Sequence, residues 1–179
     1  TDHKDLVFGY IGTISPIEGL DFLIKAFTNL YNKGIKNKLI FYGDGVELNQ
    51  LKGIAQKNKM IDFKGRFNQD GISEAYSEID VIINPRRKSF LTESVTPLKP
   101  LEAMGYQKLI MASNIGGMRE IIKHNKTGIL FQPDSVPAIE KAVLDVLEKA
   151  EIKQLVDAAL RYVKKNRSWK ADIRWNLGS

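Results

Sequence analysis

A lysine and a glutamate about one turn apart at the start of a helix can hold an anion and a set of hydroxyls together. This chain carries such a pair, Lys99 and Glu102, within Thr96-Pro97-Leu98-Lys99-Pro100-Leu101-Glu102-Ala103-Met104-Gly105. A helix N-terminus presents free N–H groups and a partial positive charge, which suit a phosphate. Thr96 fits a cap and Pro97 the first helical position. The two prolines remove two donors and leave mainly the N–H groups of Leu98 and Lys99, so the Lys99 ammonium replaces part of the lost positive field. Glu102 is then placed for sugar hydroxyls, and the combination suggests a site for a nucleotide-linked sugar. The alternative is an ordinary proline-started helix with a solvated Lys99 and a surface Glu102. Glu93, in the loop before, faces the same pocket or solvent.

A second group of charges is Arg86-Arg87-Lys88, directly after an apolar run. The net charge is +6, which suits phosphorylated ligands, nucleic acid or anionic lipid. Most lysines, however, lie beside glutamates along amphipathic stretches and read as solvated. Other chemistry is poorly represented. Gly43-x-Gly45 lacks the third glycine of the dinucleotide fingerprint and reads as a structural turn. There is no Walker A motif, no Asp-x-Asp pair, no His-x-x-x-His and no Gly-x-Ser-x-Gly elbow. Cysteine is absent, so neither disulfides nor thiolate metal sites are available. No protein-held metal is expected. His3 and His124 stand alone, and His124 reads as a capping residue in the last turn of a helix.

These residues need elements to position them, and the chain supplies an alternation. Strands are expected over Leu6–Gly12, Lys38–Tyr42, Met60–Lys64, Asp80–Asn84, Leu109–Ala112 and Thr127–Phe131. Helices are expected over Leu20–Tyr31, Val46–Gln56, Ile72–Ser77, Leu98–Tyr106 and Met118–His124, then from Ser135 to about Ala150 and from about Ile152 to Lys165. Arg86–Val95 reads as a polar loop. Apolar strands alternating with amphipathic helices argue for an α/β fold with a parallel sheet of about six strands covered on both faces. The 179 residues and 43% hydrophobic content are enough for one domain with a real core. No run approaches the roughly 18 apolar residues of a membrane span, and no signal peptide is recognisable. In such sheets ligands bind beyond the C-terminal strand ends. Gly12-Thr13, Gly43-Asp44-Gly45, Gly65-Arg66, Pro85-Arg86-Arg87 and Ser113-Asn114 all fall on that edge with Lys99.

The residues also match a known pattern. Glu93, Thr96 to Met104, Ala112-Ser113-x-x-Gly116-Gly117-x-x-Glu120-x-Ile122 and Gly128-Ile129-Leu130-Phe131 together resemble the group 1 (family 4) glycosyltransferases. Gly9 to Thr13, Glu18 to Phe27 and Tyr42 to Gly45 fit the same pattern, so the resemblance covers nearly the whole chain. It implies a GT-B enzyme of two Rossmann-like halves, in which the C-terminal half binds a nucleotide sugar and the N-terminal half the acceptor. The chain looks like the C-terminal half alone: a three-layer αβα donor-binding domain over 1–166 and a tail, 167–179, whose Trp169, Ile173, Trp175 and Leu177 would cross to the N-terminal half or pack on their own domain.

The resemblance further implies retaining hexosyl transfer from a UDP- or GDP-sugar to a glycan or lipid-linked acceptor, without a metal or other cofactor. The setting it suggests is cytoplasmic, at the inner membrane face, in bacterial polysaccharide synthesis. It puts the ribose contact on Glu102 and a donor-sugar contact near Glu93, one residue out of the usual spacing. Gly12, Thr13, Arg66, Thr96 and Leu98 would line the donor, with the base held near Gly65-Arg66. Two departures stand out: Thr13 and Glu18 occupy positions where the family usually carries an arginine and a lysine against the diphosphate. The expectation is that Arg87 and Lys99 take over that charge, helped by Arg86 or Lys88. The competing readings are a GT-B-like nucleotide-sugar 2-epimerase and a non-catalytic basic α/β module for nucleotide or RNA.

Overall fold

The computed structural model describes residues 5–166. The tail residues Trp169, Ile173, Trp175 and Leu177, and the expectation that they cross to another domain, lie outside the described residues. Six strands form one sheet: β1 (Phe8–Ile11), β2 (Leu39–Tyr42), β3 (Ile61–Gly65), β4 (Val81–Asn84), β5 (Leu109–Ser113) and β6 (Ile129–Phe131). Every neighbouring pair is parallel, in the order β3-β2-β1-β4-β5-β6. The chain adds strands outward on one side of β1 and then returns to its other side at β4. That reversal opens a crevice above the C-terminal ends of β1 and β4, where α/β sheets bind ligands.

Layers on both faces follow from strand composition. Phe8, Tyr10, Leu39, Phe41, Val81, Ile83, Leu109 and Met111 face one side, where α1 (Leu20–Asn32), α2 (Leu48–Ala55) and α7 (Val136–Glu148) cover them. Ile11, Ile82, Ile110 and Ala112 face the other, against α3 (Ile72–Ser77), α5 (Lys99–Gly105) and α8 (Ile152–Asn166). Central strands buried on both faces cannot alternate apolar with polar residues, and these do not. Only the edge strand β3 alternates, with Asp62 and Lys64 exposed. Among the described residues no helix is long and apolar enough to cross a membrane.

Three local expectations are corrected. The polar stretch 86–95 is not all loop: Phe90–Ser94 form a short helix, α4. Ser89 caps it by accepting a hydrogen bond from Thr92 N–H, and the Thr92 hydroxyl accepts one from Ser89 N–H. The helix expected over Met118–His124 is instead α6, Gly116–Arg119. His124 is therefore not in a helical last turn. It bridges to Gly128, and its Nδ1 accepts the Leu130 N–H at 3.0 Å. Finally, α5 begins at Lys99 with Leu98 as its cap residue, so Pro97 lies outside the helix and Pro100 sits at its second position. The missing N–H of Pro100 costs nothing there. Thr96 is not the cap; its hydroxyl bonds the Glu120 carboxylate.

Candidate functional site: a two-compartment cleft above β1 and β4

The floor of the crevice is set by backbone approach. Gly43, just after β2, lies against the Gly12 carbonyl, which would be 1.8 Å from a Cβ at Gly43. Gly45 lies nearly as close to the Ile14 carbonyl, 2.1 Å from a would-be Cβ. Gly12 N–H donates to Tyr42 O and Ile14 N–H to Asp44 O. The Gly43-x-Gly45 signal is thus a structural turn that locks the β2 loop against the β1 loop. The Asp44 carboxylate takes the Gly45 N–H and pairs with Arg66 at 3.0 Å.

On the β4 side, Arg87 N–H donates to Ile17 O. Gly19, at φ 66°, packs its Cα against Pro85 O. These contacts hold the 3-10 turn Pro16–Glu18 beside the exit of β4. Across from it, the Glu93 and Val95 carbonyls lie where side chains on Gly116 and Gly117 would be, so the double glycine lets α6 approach the segment leading into α5.

Two adjoining compartments result. The larger, about 740 Å³, is lined by Gly12, Thr13, Gly43 to Val46, Arg66, Phe67 and Lys99. The smaller, about 290 Å³, is walled by Tyr10, Glu18, Asn84, Arg86, Pro97, Pro100 and Met118, among others. Gly12, Thr13 and Lys99 line both. The Lys99 ammonium stands 3.6 Å from Glu102 Oε1, and the same oxygen accepts a 2.7 Å hydrogen bond from the buried Tyr76 hydroxyl.

Of the residues singled out from sequence, Gly12, Thr13, Arg66 and Lys99 come together in the cleft, and Glu102 joins them through Lys99. The others are placed elsewhere. Arg87 turns away from the cavities: its Nη2 meets Asp21 at 2.6 Å, its Nε donates to Pro16 O, and its guanidinium lies over the Phe22 ring. Glu93 pairs with Arg119 at 3.2 Å. Leu98 is 61% exposed and lines neither compartment. Lys88 contributes its backbone N–H to Asp134.

The structure adds Tyr76, Tyr10 and Asn84, which sequence reasoning did not place, and brings Arg86 and Glu18 together with the last two. Tyr76 orients Glu102. Tyr10, Glu18, Asn84 and Arg86 form a polar floor in the smaller compartment. The Tyr10 hydroxyl donates to Thr13 O at 2.7 Å, and Arg86 Nε stands 3.5 Å from Glu18 Oε2. Burial raises the Glu18 pKa above its ordinary 4.5, and Arg86 and Tyr10 only partly oppose that. Burial, with Glu18 nearby, also raises the Tyr10 pKa. The sequence signals for this group were the basic run Arg86-Arg87-Lys88 and the acidic residue at 18 where a cation was expected.

Comparison with known proteins agrees with this architecture. An uncharacterized glycosyltransferase of Methanocaldococcus jannaschii is 27% identical over 171 residues, covering 92% of this chain and 42% of the relative. The chain spans less than half the length of the first curated relatives it matches. A C-terminal domain of a group 1 glycosyl transferase from Francisella tularensis superposes with a TM-score of 0.76 at 20% identity, covering 90% of this chain and 85% of that one. The Anabaena protein HepE, solved with UDP and glucose, gives a TM-score of 0.75 at 20% identity, covering 89% of this chain and 44% of that one. The sequence signature of the glycosyl transferases group 1 matches residues 1–169, and the chain belongs to that family.

Proposed function

We propose that this chain is the donor-binding half of a retaining glycosyltransferase that moves a hexosyl group from a UDP- or GDP-sugar to a glycan or lipid-linked acceptor. The observation that carries the reading is the pair of compartments joined at Gly12, Thr13 and Lys99, with Glu102 fixed at their edge. In this reading the nucleoside occupies the larger compartment, near Arg66 and Phe67. The ribose hydroxyls meet Glu102. The phosphates run from the junction beside Lys99 toward the smaller compartment, with the sugar beyond them. The UDP and glucose bound by HepE, which shares the fold, support a nucleotide sugar as the donor.

Chemically, this domain's task is to hold the donor rigidly and to stabilise charge as the nucleoside diphosphate leaves. Positive charge fixed before the reaction begins does this without reorganisation, and losing one such group costs orders of magnitude in rate. Lys99 supplies that charge in the proposed site, and no step calls on a metal. Arg87 acts from outside the cavity, by holding the 3-10 turn at residues 16–18 against the β4 exit. The acceptor comes from an N-terminal domain of the same enzyme, so the present chain binds donor weakly and transfers nothing alone.

A thermal-shift series with UDP, GDP, ADP and their sugars tests the reading, because a ligand bound only by the folded state raises its melting temperature. One nucleotide series is expected to stabilise the chain, and Glu102→Ala to remove that stabilisation. No shift with any nucleotide at millimolar concentration, or efficient glycosyl transfer by this chain alone, would overturn it.

A further inference from the structure

The smaller compartment holds two buried donors that no described residue satisfies. Asn84, at the end of β4, is 4% exposed and lines the cavity. Among the described residues, no hydrogen-bond partner reaches its Nδ2 or the Nε of Arg86. Buried polar groups of this kind are normally paired, since leaving one unpaired costs about 1–3 kcal/mol. The Arg86 side chain is only 16% exposed, and Glu18 balances its charge at a distance too long for a good hydrogen bond. Lys99 and the Gly12-Thr13 segment line the same cavity. Two unpaired N–H donors, one of them on a guanidinium, with an ammonium beside them, call for a ligand group rich in acceptor oxygens and negatively charged.

We propose that Arg86 and Asn84 form the subsite for the distal, sugar-bearing phosphate of the donor, so that the cation expected on the β1 loop is delivered from the exit of β4. The proposal rests on the reading of the cleft as a nucleotide-sugar site. It replaces Arg87 by Arg86 as the partner of Lys99, because consecutive residues at a strand exit point to opposite sides and only Arg86 enters the cavity. Glu18 then has a plain role. It neutralises a guanidinium that would otherwise be buried without a counter-ion when the site is empty, a situation proteins tolerate poorly.

The proposal separates phosphate from nucleoside recognition, and titration calorimetry of the 179-residue chain with UDP, UMP, GDP and GMP reads that separation directly. The wild-type chain is expected to prefer the diphosphate of its own base over the monophosphate by about tenfold or more, the usual worth of a charge-assisted hydrogen bond. Arg86→Gln should collapse that preference toward unity while leaving monophosphate affinity within about twofold, a retained affinity that also reports an intact fold. Asn84→Asp, nearly isosteric, should erase the same preference by placing a carboxylate against the phosphate. Arg86→Lys should restore part of it. A diphosphate preference that survives both Arg86→Gln and Asn84→Asp overturns this assignment and leaves the nucleotide-sugar reading standing. A wild-type chain that binds none of the four nucleotides overturns both.

Discussion

The Tyr76 hydroxyl donates a 2.7 Å hydrogen bond to Glu102 Oε1 from 26 residues away in sequence. Tyr76 is 2% exposed and its ring stacks on Tyr106, with centroids 4.4 Å apart and planes inclined by 11°. Burial, reinforced by the Glu102 charge, raises the phenol pKa, which favours the protonated, hydrogen-donating form. One carboxylate oxygen is thereby committed to Tyr76 and Lys99, and the carboxylate plane is fixed before a ligand arrives.

Removing only that hydroxyl tests its value. Tyr76→Phe keeps the stacked ring and frees the carboxylate to rotate. Affinity for the preferred nucleoside diphosphate should fall by about three- to tenfold, matching the roughly 1 kcal/mol net worth of such a bond. Calorimetric titration of the variant checks this, and an unchanged affinity would show that Glu102 needs no orienting partner.

Arg87 and Lys99 should behave differently on substitution. Arg87→Ala breaks the 2.6 Å pair with Asp21, the bond to Pro16 O and the stack on Phe22. Its main effect should be on stability, with a melting temperature lower by about 2–4 °C for each kcal/mol lost. Lys99→Ala should leave the melting temperature nearly unchanged, because its pair with Glu102 is half exposed. It should weaken nucleotide binding and flatten the salt dependence of that binding. Scanning calorimetry together with titrations at two salt concentrations distinguishes the two patterns.

Glycine positions offer an internal control. A Cβ at Gly43 would stand 1.8 Å from Gly12 O, and the residue's φ of 131° is strained for any side chain. Gly43→Ala should therefore cost about 2 kcal/mol or more and displace the Gly12 loop. Gly53, within α2, has nothing within 4 Å of a would-be Cβ. Gly53→Ala should stabilise by about 0.5–1 kcal/mol. Urea unfolding of both variants measures the contrast, and equal effects would mean the floor of the cleft is not locked as described.

Glu18 links stability to pH. The cation against it is Arg86 and its neutral neighbour is Tyr10, while Lys99 lines the same compartment and pairs with Glu102. Its folded-state pKa is raised, chiefly by burial, so the folded chain binds this proton more tightly than the unfolded chain does. The charged carboxylate is therefore a burden above the folded pKa, and acidification relieves it. Relative to Glu18→Gln, the wild-type chain should gain stability as pH falls from its folded pKa to about 4.5, the ordinary value. Below that the difference should be flat. Chemical denaturation of both chains from pH 7 to pH 4 reads this slope, and a difference that does not change with pH would refute the burial of the carboxylate.

The architecture was legible because the strands that matter are buried on both faces. The run around Phe8–Ile11 and the helix opening at Leu20 announce themselves by composition and period. What escaped detection was local or distant. Helix α4 rests on a Ser89–Thr92 capping exchange that lacks the usual Glu or Gln at its third position. The double glycine at 116–117 reads as a turn until the Glu93 and Val95 carbonyls are seen against it. In the cleft, Gly12, Thr13, Arg66 and Lys99 could be grouped because strand exits share one edge. The expectation put Arg87 ahead of Arg86, a choice the sequence cannot guide, since neighbouring residues of the same type differ only in which side of the backbone they leave. Tyr76 gave no signal, because its bond to Glu102 is tertiary.

The strand order has a consequence for how the protein comes into being. One wall of the cleft, from Gly12 to Phe67, belongs to the first three strands, and the other, from Asn84 to Met118, to the next two. A nascent chain that has completed β3 has half a crevice and none of Asn84, Arg86, Lys99 or Glu102. Nucleotide can stabilise only a state that already presents both walls. Added donor should therefore leave the early stages of folding untouched and act on the last one, when β4 slots in beside β1 and the two halves first face each other.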